Sequence, residues 1–356
     1  MTVEEAIERF IRYKSLTLKD SSLDLLEQVA RCNIIPRIGG YPCDAFDDTV
    51  YYDELIIPLV RQGLSYSSLK KVQDLMFPFC RWCVVPSRQY MRNNPLAGLD
   101  KLTEVSVHNL RIRYGVQSPD EPEDGEGDQP KVAVLDAGQR ERFVAACRSA
   151  YSSGRPRFPH GEAFIFMLYT GLRIGEMSAL RWSDVDFEKR LIRVHGNLTG
   201  VKCRDSASPQ YGKRISRINP FTKTNRPRTI PLGRMAYESI QRLYEARRPG
   251  SQLVLVNRDG NLIDPVTLQM SLRRVYQSAG IELPPGVNAH ALRHTFATDW
   301  TQMNPDMVSL SKIIGHTDPA FTYRVYCHAD SASMAKGMDM IEHILQSADK
   351  CIDGAR

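Results

Sequence analysis

The segment HALRHTFAT, residues 290–298, is the most informative stretch of this sequence. On a helix, His290, Arg293 and His294 are three or four positions apart and therefore share one face. Two histidines four positions apart can also bind zinc. Ala291, however, stands where a zinc protease has its glutamate, and the charge of Arg293 would repel a metal ion. We therefore expect a polar, cationic helix face and no metal site.

Three further motifs surround this helix in the order of the chain. They are TGLRIGE at residues 170–176, FTKTNRPRTIPL at residues 221–232, and IGHTD at residues 314–318 followed by YRVYCH at residues 323–328. Taken singly, each charged or aromatic residue in them has an ordinary explanation, such as a surface charge or a packed core tyrosine. Together with the helix they supply two arginines, one lysine, two histidines and a late tyrosine. This set is what phosphoryl transfer through a covalent tyrosine requires.

The chemistry of a phosphodiester explains the residue set. An attacked phosphate becomes pentacoordinate and gathers negative charge, which two guanidiniums can clamp with paired donors at any working pH. A free phenol has a pKa of about 10, so a neighbouring imidazole and the arginine charges must help to remove its proton. Lys223, on a β-turn, can supply the proton that the leaving 5′-oxygen needs. Rejoining requires no ATP, because the bond to tyrosine conserves the phosphodiester energy.

These motifs closely resemble those of the tyrosine recombinase, or phage integrase, family, and the resemblance covers essentially the whole chain. The spacing from His316 to Tyr326 is most like that of integrases of phages and conjugative transposons, since Xer-type recombinases usually have one residue fewer. The Y-x-H ending with His328 favours Tyr326 over Tyr323 as the nucleophile. The resemblance implies catalytic roles for Arg173, Lys223, His290, Arg293, His316 and Tyr326, and supporting roles for Glu176 and His294.

A two-domain, mainly α protein is predicted from the resemblance and from the apolar periodicity. The domains are a helical core-type DNA-binding domain at 1–112, an acidic flexible linker at 113–130, and an α+β catalytic domain with a small antiparallel sheet at 131–356. Strands are expected near 191–194, 228–232 and 253–256, and a C-terminal helix at about 331–347. In the first domain, Ser21-Ser22 is expected to cap a helix, and Pro78 to kink or shorten another.

The net charge of +6 hides an uneven distribution. Ser118–Pro130 contains six acidic residues and no base, so the rest of the chain carries a net charge of +12. Val201–Arg228 contains eight bases and one acid. A solvated hairpin would explain such a run, but the candidate catalytic lysine lies inside it, and we favour phosphate contacts. The candidate DNA contacts are Lys202, Arg204, Lys213, Arg214, Arg217, Arg226 and Arg228, with Lys70 and Lys71 on the first domain.

We therefore predict a site-specific recombinase that cuts and rejoins double-stranded DNA through a 3′-phosphotyrosine, without a metal or other cofactor, to integrate or excise a mobile element. Xer-like resolution or inversion is the alternative, and a type IB topoisomerase or a non-catalytic DNA-binding regulator fits the motifs less well. The resemblance implies a homotetramer on two duplexes, joined by the C-terminal helix and assisted by accessory DNA-bending proteins. A cytoplasmic location is expected, because the sequence has neither a long apolar run nor a secretory signal.

Overall fold

The computed structural model describes residues 1–116, 133–220, 227–284, 289–303, 306–316 and 322. The chain divides into two compact units, Met1–Gln129 with Gly200–Ile215 and Pro130–Thr199 with Ser216–Arg356. Among the described helices, none is both long and apolar enough to cross a membrane. The acidic segment 118–130 and the C-terminal helix predicted at 331–347 lie outside the described residues.

The first unit is helical, as the apolar periodicity predicts. Its helices are α1 (Val3–Lys14), α2 (Asp20–Val29), α3 (Ile35–Ile38), α4 (Ile57–Arg61), α5 (Tyr66–Cys83) and α6 (Glu104–Tyr114), with π-helical segments at Ala30–Ile34 and Val50–Ile56. Thr2 begins α1 with a capping box to Glu5, and the Ser65 side chain caps α5. Phe10 and Phe79 are buried, and their rings meet edge to face at 5.8 Å. These contacts hold α1 and α5 around one apolar core.

In the first unit, the cap predicted at Ser21-Ser22 and the shortening of a helix by Pro78 are wrong. Helix α2 begins at Asp20, and its N-cap residue, Lys19, makes no side-chain cap, so Ser21-Ser22 lies inside the helix. Helix α5 continues through Pro78 to its end at Cys83. A proline inside a helix costs about 3 kcal/mol. Burial of the next residue, Phe79, together with the other apolar side chains of α5, offsets that cost.

The second unit is built around one apolar helix. Its helices are α7 (Ala137–Cys147), α8 (Gly161–Leu168), α9 (Ile174–Ala179), α10 (Arg234–Glu245), α11 (Pro265–Ser278), α12 (Ala289–Met303) and α13 (Met307–Ile314). Every position of α8 except Glu162 is buried, because its sequence is apolar on all sides. Helices α7, α10 and α12 pack against it. Helix α8 therefore fixes the position of α12, which carries HALRHTFAT.

Two small antiparallel sheets lie in the chain between Val185 and Pro231. Strands β1 (Val185–Asp186), β2 (Leu191–Val194) and β5 (Arg228–Pro231) form one sheet in the order β1-β2-β5, and β3 (Asn197–Lys202) pairs with β4 (Arg214–Asn219). The strands predicted near 191–194 and 228–232 are confirmed. The strand predicted at 253–256 is wrong, because Leu253 makes only an isolated bridge with Arg181. The mainly α architecture with small antiparallel sheets is confirmed.

Candidate active site

Arg173 lies at the start of α9, where its main chain and its side chain bind the same carboxylate. The Arg173 backbone N–H donates to Glu176 Oε2 at 2.9 Å, and its Nη1 donates to Oε1 at 3.1 Å. Its Nη2 donates to the carbonyl oxygen of Gly315 at 3.3 Å. The Arg173 side chain is 20% exposed, whereas that of Glu176 is 1% exposed. The guanidinium is therefore held on one side while another side remains accessible.

Glu176 has a second arginine partner, Arg228 at the start of β5. Arg228 donates from Nη1 and Nη2 to the two carboxylate oxygens at 2.9 and 2.7 Å, and from Nε to the Ile313 carbonyl oxygen at 2.6 Å. Burial alone would raise the pKa of Glu176, but the hydrogen bonds and charges of Arg228 and Arg173 lower it below its usual value. Glu176 is therefore a carboxylate shared between two guanidiniums.

Arg293 reaches the segment before Arg173 from α12. It is 3% exposed, and its Nη1 donates to the Gly171 carbonyl oxygen at 2.8 Å. Gly171 has a φ of +65°, and a Cβ atom on it would lie 2.7 Å from the Phe296 ring. Only glycine fits this position without strain. The TGLR motif therefore provides a carbonyl oxygen that helps to hold Arg293 beside the start of α9.

His316 follows the left-handed cap residue Gly315 at the end of α13. Its Nδ1 lies 2.9 Å from Thr322 Oγ1, and its backbone N–H donates to the Ser311 carbonyl oxygen at 3.0 Å. Burial lowers the pKa of His316 to about 3, with further contributions from the charges of Arg293, Arg173, His294 and Arg228. The imidazole is therefore neutral at any physiological pH.

The two histidines of α12 lie in different environments. His290 is exposed and His294 is half-buried, with their ring centroids 6.3 Å apart. Burial, then the neighbouring His290 and Arg293, lowers the pKa of His294 to about 4. His294 is therefore a second neutral imidazole near Arg293.

Taken together, these residues form a site with an excess of positive charge. Arg173, Arg228 and Arg293 carry three fixed positive charges, and Glu176 supplies the carboxylate to which two of them bind. Arg173 and Arg228 also bind the carbonyl oxygens of Gly315 and Ile313, just before His316 in the chain. Such a site favours an anion with several oxygen atoms, and a phosphate has that form.

A search of protein families finds a matching model for residues 133–333, the phage integrase family. The match spans more than half of the chain and includes the whole of this arginine and histidine cluster. The chain belongs to the phage integrase family, the family of tyrosine recombinases.

Several curated proteins are similar to this family member. A tyrosine recombinase XerC-like protein of Caldanaerobacter subterraneus subsp. tengcongensis is 30% identical over 78% of the chain and 65% of its own length. Tyrosine recombinase XerC of Azotobacter vinelandii is 26% identical over 80% of the chain and 77% of its own length. The transposase from transposon Tn916 of Enterococcus faecalis is 28% identical over 57% of the chain and 50% of its own length. The chain thus spans from half to about three quarters of these relatives.

Solved structures of integrases share the fold. The Tn1549 transposon integrase in complex with a circular intermediate DNA superposes with a TM-score of 0.72, at 21% identity over 96% of this chain and 99% of that one. A lambda integrase dimer bound to a COC′ core site gives a TM-score of 0.58, at 14% identity over 93% of this chain and 98% of that one. The fold of this family member is therefore that of integrases.

The structure brings together five of the eight residues predicted at the recombinase site: Arg173, Glu176, Arg293, His294 and His316. His290 lies one helical turn from His294 and is exposed. Lys223 and Tyr326, the predicted general acid and nucleophile, lie outside the described residues, as do Arg226, Tyr323 and His328.

Arg228 occupies a different environment from the one predicted. The sequence places it among the DNA contacts, but its side chain is 7% exposed and both its terminal nitrogens bind Glu176. A guanidinium so enclosed is not available to the DNA backbone. The signal that sequence analysis missed is strand alternation, since Arg228 lies two positions before the buried Ile230 and so shares its face.

The other candidate DNA contacts differ in exposure. Lys70, Lys71, Lys213, Arg214 and Arg217 are exposed, as a phosphate contact requires. Within the first unit, Arg204 Nη2 instead lies 2.6 Å from Asp24 and 3.0 Å from Glu27, and Lys202 Nζ lies 3.2 Å from Glu27. The carboxylates of α2 therefore compete with DNA for these two cations, a feature that the charge count of the sequence does not reveal.

Proposed function

We propose that this chain is a site-specific recombinase that cuts and rejoins double-stranded DNA through a covalent bond between Tyr326 and a 3′-phosphate. The observation that carries the proposal is the convergence of Arg173 and Arg293. Arg173, just before α9, binds the carbonyl oxygen of Gly315 in the IGHTD motif, and Arg293, on α12, binds that of Gly171 in the TGLRIGE motif. Two fixed guanidiniums suit the non-bridging oxygens of one scissile phosphate.

Each proposed step balances in atoms and charge. Tyr326 Oη passes its proton to a neighbouring histidine imidazole and attacks phosphorus, the bond from phosphorus to the 5′-oxygen breaks, and Lys223 gives that oxygen a proton. Arg173 and Arg293 neutralise the charge that builds up on the non-bridging oxygens. A 5′-hydroxyl of another strand then attacks the phosphotyrosine, which reverses these steps and releases Tyr326.

Glu176 has a supporting role in this scheme. A carboxylate beside a phosphate would repel it, but Glu176 is 1% exposed and its charge is already matched by Arg173 and Arg228. It orients the Arg173 guanidinium and does not face the DNA. Arg228, which also binds the Ile313 carbonyl oxygen, ties Glu176 to the end of α13, close to His316.

The proposed partner is a DNA duplex that carries the ends of a mobile element. Support comes from similarity to the Tn916 transposase and from the DNA complexes of the Tn1549 and lambda integrases. We extend the proposal to a homotetramer on two duplexes, assisted by DNA-bending proteins, and to a cytoplasmic location. Similarity to XerC proteins favours a second candidate, resolution or inversion at a fixed chromosomal site.

The experiment that tests the proposal traps the covalent intermediate. The probe is a duplex of the DNA that flanks the gene, with a nick a few nucleotides beyond the cleavage point. Cleavage then releases a short fragment that carries the 5′-hydroxyl. Once this fragment diffuses away, the strand cannot be rejoined. Wild-type protein is expected to form an adduct that survives denaturation, and Tyr326→Phe to bind the same duplex without forming one. Tyr323→Phe is the matched control and should form the adduct. Absence of an adduct with the wild-type protein on every flanking sequence would contradict the proposal.

A further inference from the structure

The β3–β4 hairpin is bound to helix α2 through charged groups. Residues Gly200–Ile215 of this hairpin belong to the first unit, as α2 does. Arg204 Nη2 donates to Asp24 Oδ1 at 2.6 Å and to Glu27 Oε1 at 3.0 Å. Lys202 Nζ donates to Glu27 Oε2 at 3.2 Å, and the Lys202 backbone N–H donates to Asp24 Oδ2 at 3.0 Å. These four residues are called the hairpin anchor below.

The sequence of α2 suits this contact. Asp20, Asp24 and Glu27 are four and three positions apart, so their carboxylates share one face of the helix. Arg204 Nη1 also lies 4.0 Å from Asp20 Oδ1. The side chains of Arg204, Asp24 and Glu27 are only 22–26% exposed. The acidic face of α2 therefore receives the guanidinium in a place that is largely shielded from water.

Backbone hydrogen bonds extend the anchor across the hairpin. Cys203, between the two anchored cations, donates its N–H to the Lys213 carbonyl oxygen and accepts from the Gly212 N–H, both at 2.8 Å. Val201 and Cys203 are 3% and 5% exposed, so the other face of this strand is packed. The backbone of the exposed Lys213 is therefore held to α2 through Cys203.

We propose that α2 also holds the hairpin when DNA is bound, and that Lys202 and Arg204 are positioning residues and not phosphate contacts. The side chains that they position are those of Lys213 and Arg214, which are exposed on the opposite side of the hairpin turn. The role toward DNA rests on the proposed function, whereas the anchor itself does not.

Release of the hairpin to bind a phosphate would bring little gain. Lys202 and Arg204 would each exchange a carboxylate for a phosphate, and the carboxylates left on α2 would repel a polyanion. Detachment would also bring the buried Val201 and Cys203 into contact with water. The carboxylates of α2 therefore outcompete DNA for these two cations.

Hydrogen exchange measures the anchor without DNA. The double variant Asp24→Asn/Glu27→Gln removes both charges and keeps the shapes of the side chains. Peptides that cover residues 200–215 should exchange about tenfold or more faster than in wild type, because hydrogen bonds to charged groups are lost. Peptides from α5 should exchange as in wild type, which shows that the unit remains folded. Equal exchange of residues 200–215 in the two proteins would overturn the anchor.

Variants of the hairpin test the same contact from the other side. Arg204→Gln should accelerate the exchange of residues 200–215, and Arg204→Lys, which keeps the charge, should retain most of the protection. Lys213→Gln is the matched control, because the Lys213 side chain is exposed and its link to Cys203 runs through the backbone. Equal acceleration in Arg204→Gln and Lys213→Gln would contradict a specific role for Arg204.

DNA affinity separates anchoring from competition by the direction of the change. Charge alone predicts tighter binding when two acids are removed, and so does competition between α2 and DNA. Anchoring predicts the reverse. Asp24→Asn/Glu27→Gln should weaken binding to a duplex of the flanking DNA by about two- to tenfold, since the loosened side chains must be ordered on binding. Glu4→Gln/Glu8→Gln, which removes two exposed acids of α1, should not weaken it.

The outcomes for the anchor and for the proposed function are distinguishable. If wild-type protein binds no duplex and forms no adduct, the proposed function fails while hydrogen exchange still tests the anchor. If wild type forms the adduct and the α2 double variant binds DNA as tightly as wild type or more tightly, the positioning role is wrong and the proposed function stands.

Discussion

Glu176 and Arg228 form a two-pronged ion pair, with nitrogen–oxygen distances of 2.9 and 2.7 Å and side chains that are 1% and 7% exposed. The same carboxylate binds Arg173, so one buried acid orients two arginines. The pair joins the start of α9 to the start of β5 and, through Ile313, to the end of α13. It therefore links the TGLRIGE and FTKTNRPRTIPL motifs to the residue just before IGHTD.

Removal of the Arg228 charge should strongly destabilise the second unit. Arg228→Met leaves Glu176 buried with one partner fewer, and loss of one member of a buried pair costs about 3–5 kcal/mol. The free energy of unfolding in urea measures this loss. Arg234→Met is the matched control, because Arg234 is 86% exposed and pairs with Glu238 at the surface, where a pair contributes at most about 1 kcal/mol. Equal effects of the two substitutions would show that the buried pair is not important for stability.

Gly171→Ala should destabilise the second unit through both a tight contact and a strained backbone. A methyl group there meets the Phe296 ring at 2.7 Å and also requires a positive φ, which L residues rarely adopt. Gly250→Ala isolates the second cost, since Gly250 has a φ of +77° and nothing lies within 4 Å of its added Cβ. Overpacking costs about 1–3 kcal/mol, so Gly171→Ala should lower the free energy of unfolding by about that much more than Gly250→Ala. Similar losses would contradict the tight packing around Gly171.

Acid should destabilise the protein through the half-buried His294 and His316. The pKa of His316 is lowered from 6.5 to about 3 and that of His294 to about 4. Between those values and 6.5 the unfolded chain takes up protons that the folded chain does not, so stability falls as pH falls below about 6.5 and does not depend on these groups above it. Urea unfolding at several pH values measures how the free energy of unfolding changes with pH. Its fall below pH 6.5 should be less steep in the double variant His294→Gln/His316→Gln than in wild type. Parallel slopes would show that both rings titrate normally.

The exposed arginines of β4 should contribute to DNA affinity through charge. If Arg214 and Arg217 each contact a phosphate, the alanine variant of either one weakens binding and reduces the slope of log affinity against log salt by about one. Fluorescence anisotropy with a duplex of the flanking DNA at several salt concentrations measures both quantities. Arg234→Ala removes an exposed arginine of α10 and should leave the slope unchanged. An unchanged slope in both β4 variants would remove this strand from the DNA contacts.

Much of the site could be predicted from the sequence because its residues lie in short motifs with local geometry. The helix that carries HALRHTFAT and the strands near 191–194 and 228–232 follow from apolar patterns that act within a few residues. These features depend on local sequence, which periodicity reads directly.

Other features depend on contacts between distant residues and could not be predicted in the same way. The basic run that contains Lys223 places Arg228 among the predicted DNA contacts, whereas its partner Glu176 is 52 positions away. The pairs that Arg204 makes with Asp24 and Glu27 are separated by still more of the chain. The hydroxyls of Ser311 and Thr322 meet although they lie 11 positions apart. Sequence motifs can identify such residues, but they do not show which residues are in contact.

The central claim is that Tyr326 becomes covalently bound to DNA, and the sequence allows an unambiguous measurement. Trypsin cuts after Lys312, Arg324 and Lys336, so Tyr323 and Tyr326 fall in separate peptides, residues 313–324 and 325–336. The adduct from the nicked duplex is digested with trypsin and nuclease, and mass spectrometry locates the remaining nucleotide. The expected result is a nucleotide joined through its 3′-phosphate to Tyr326 in peptide 325–336. A nucleotide on peptide 313–324, or one joined through a 5′-phosphate, would contradict the account.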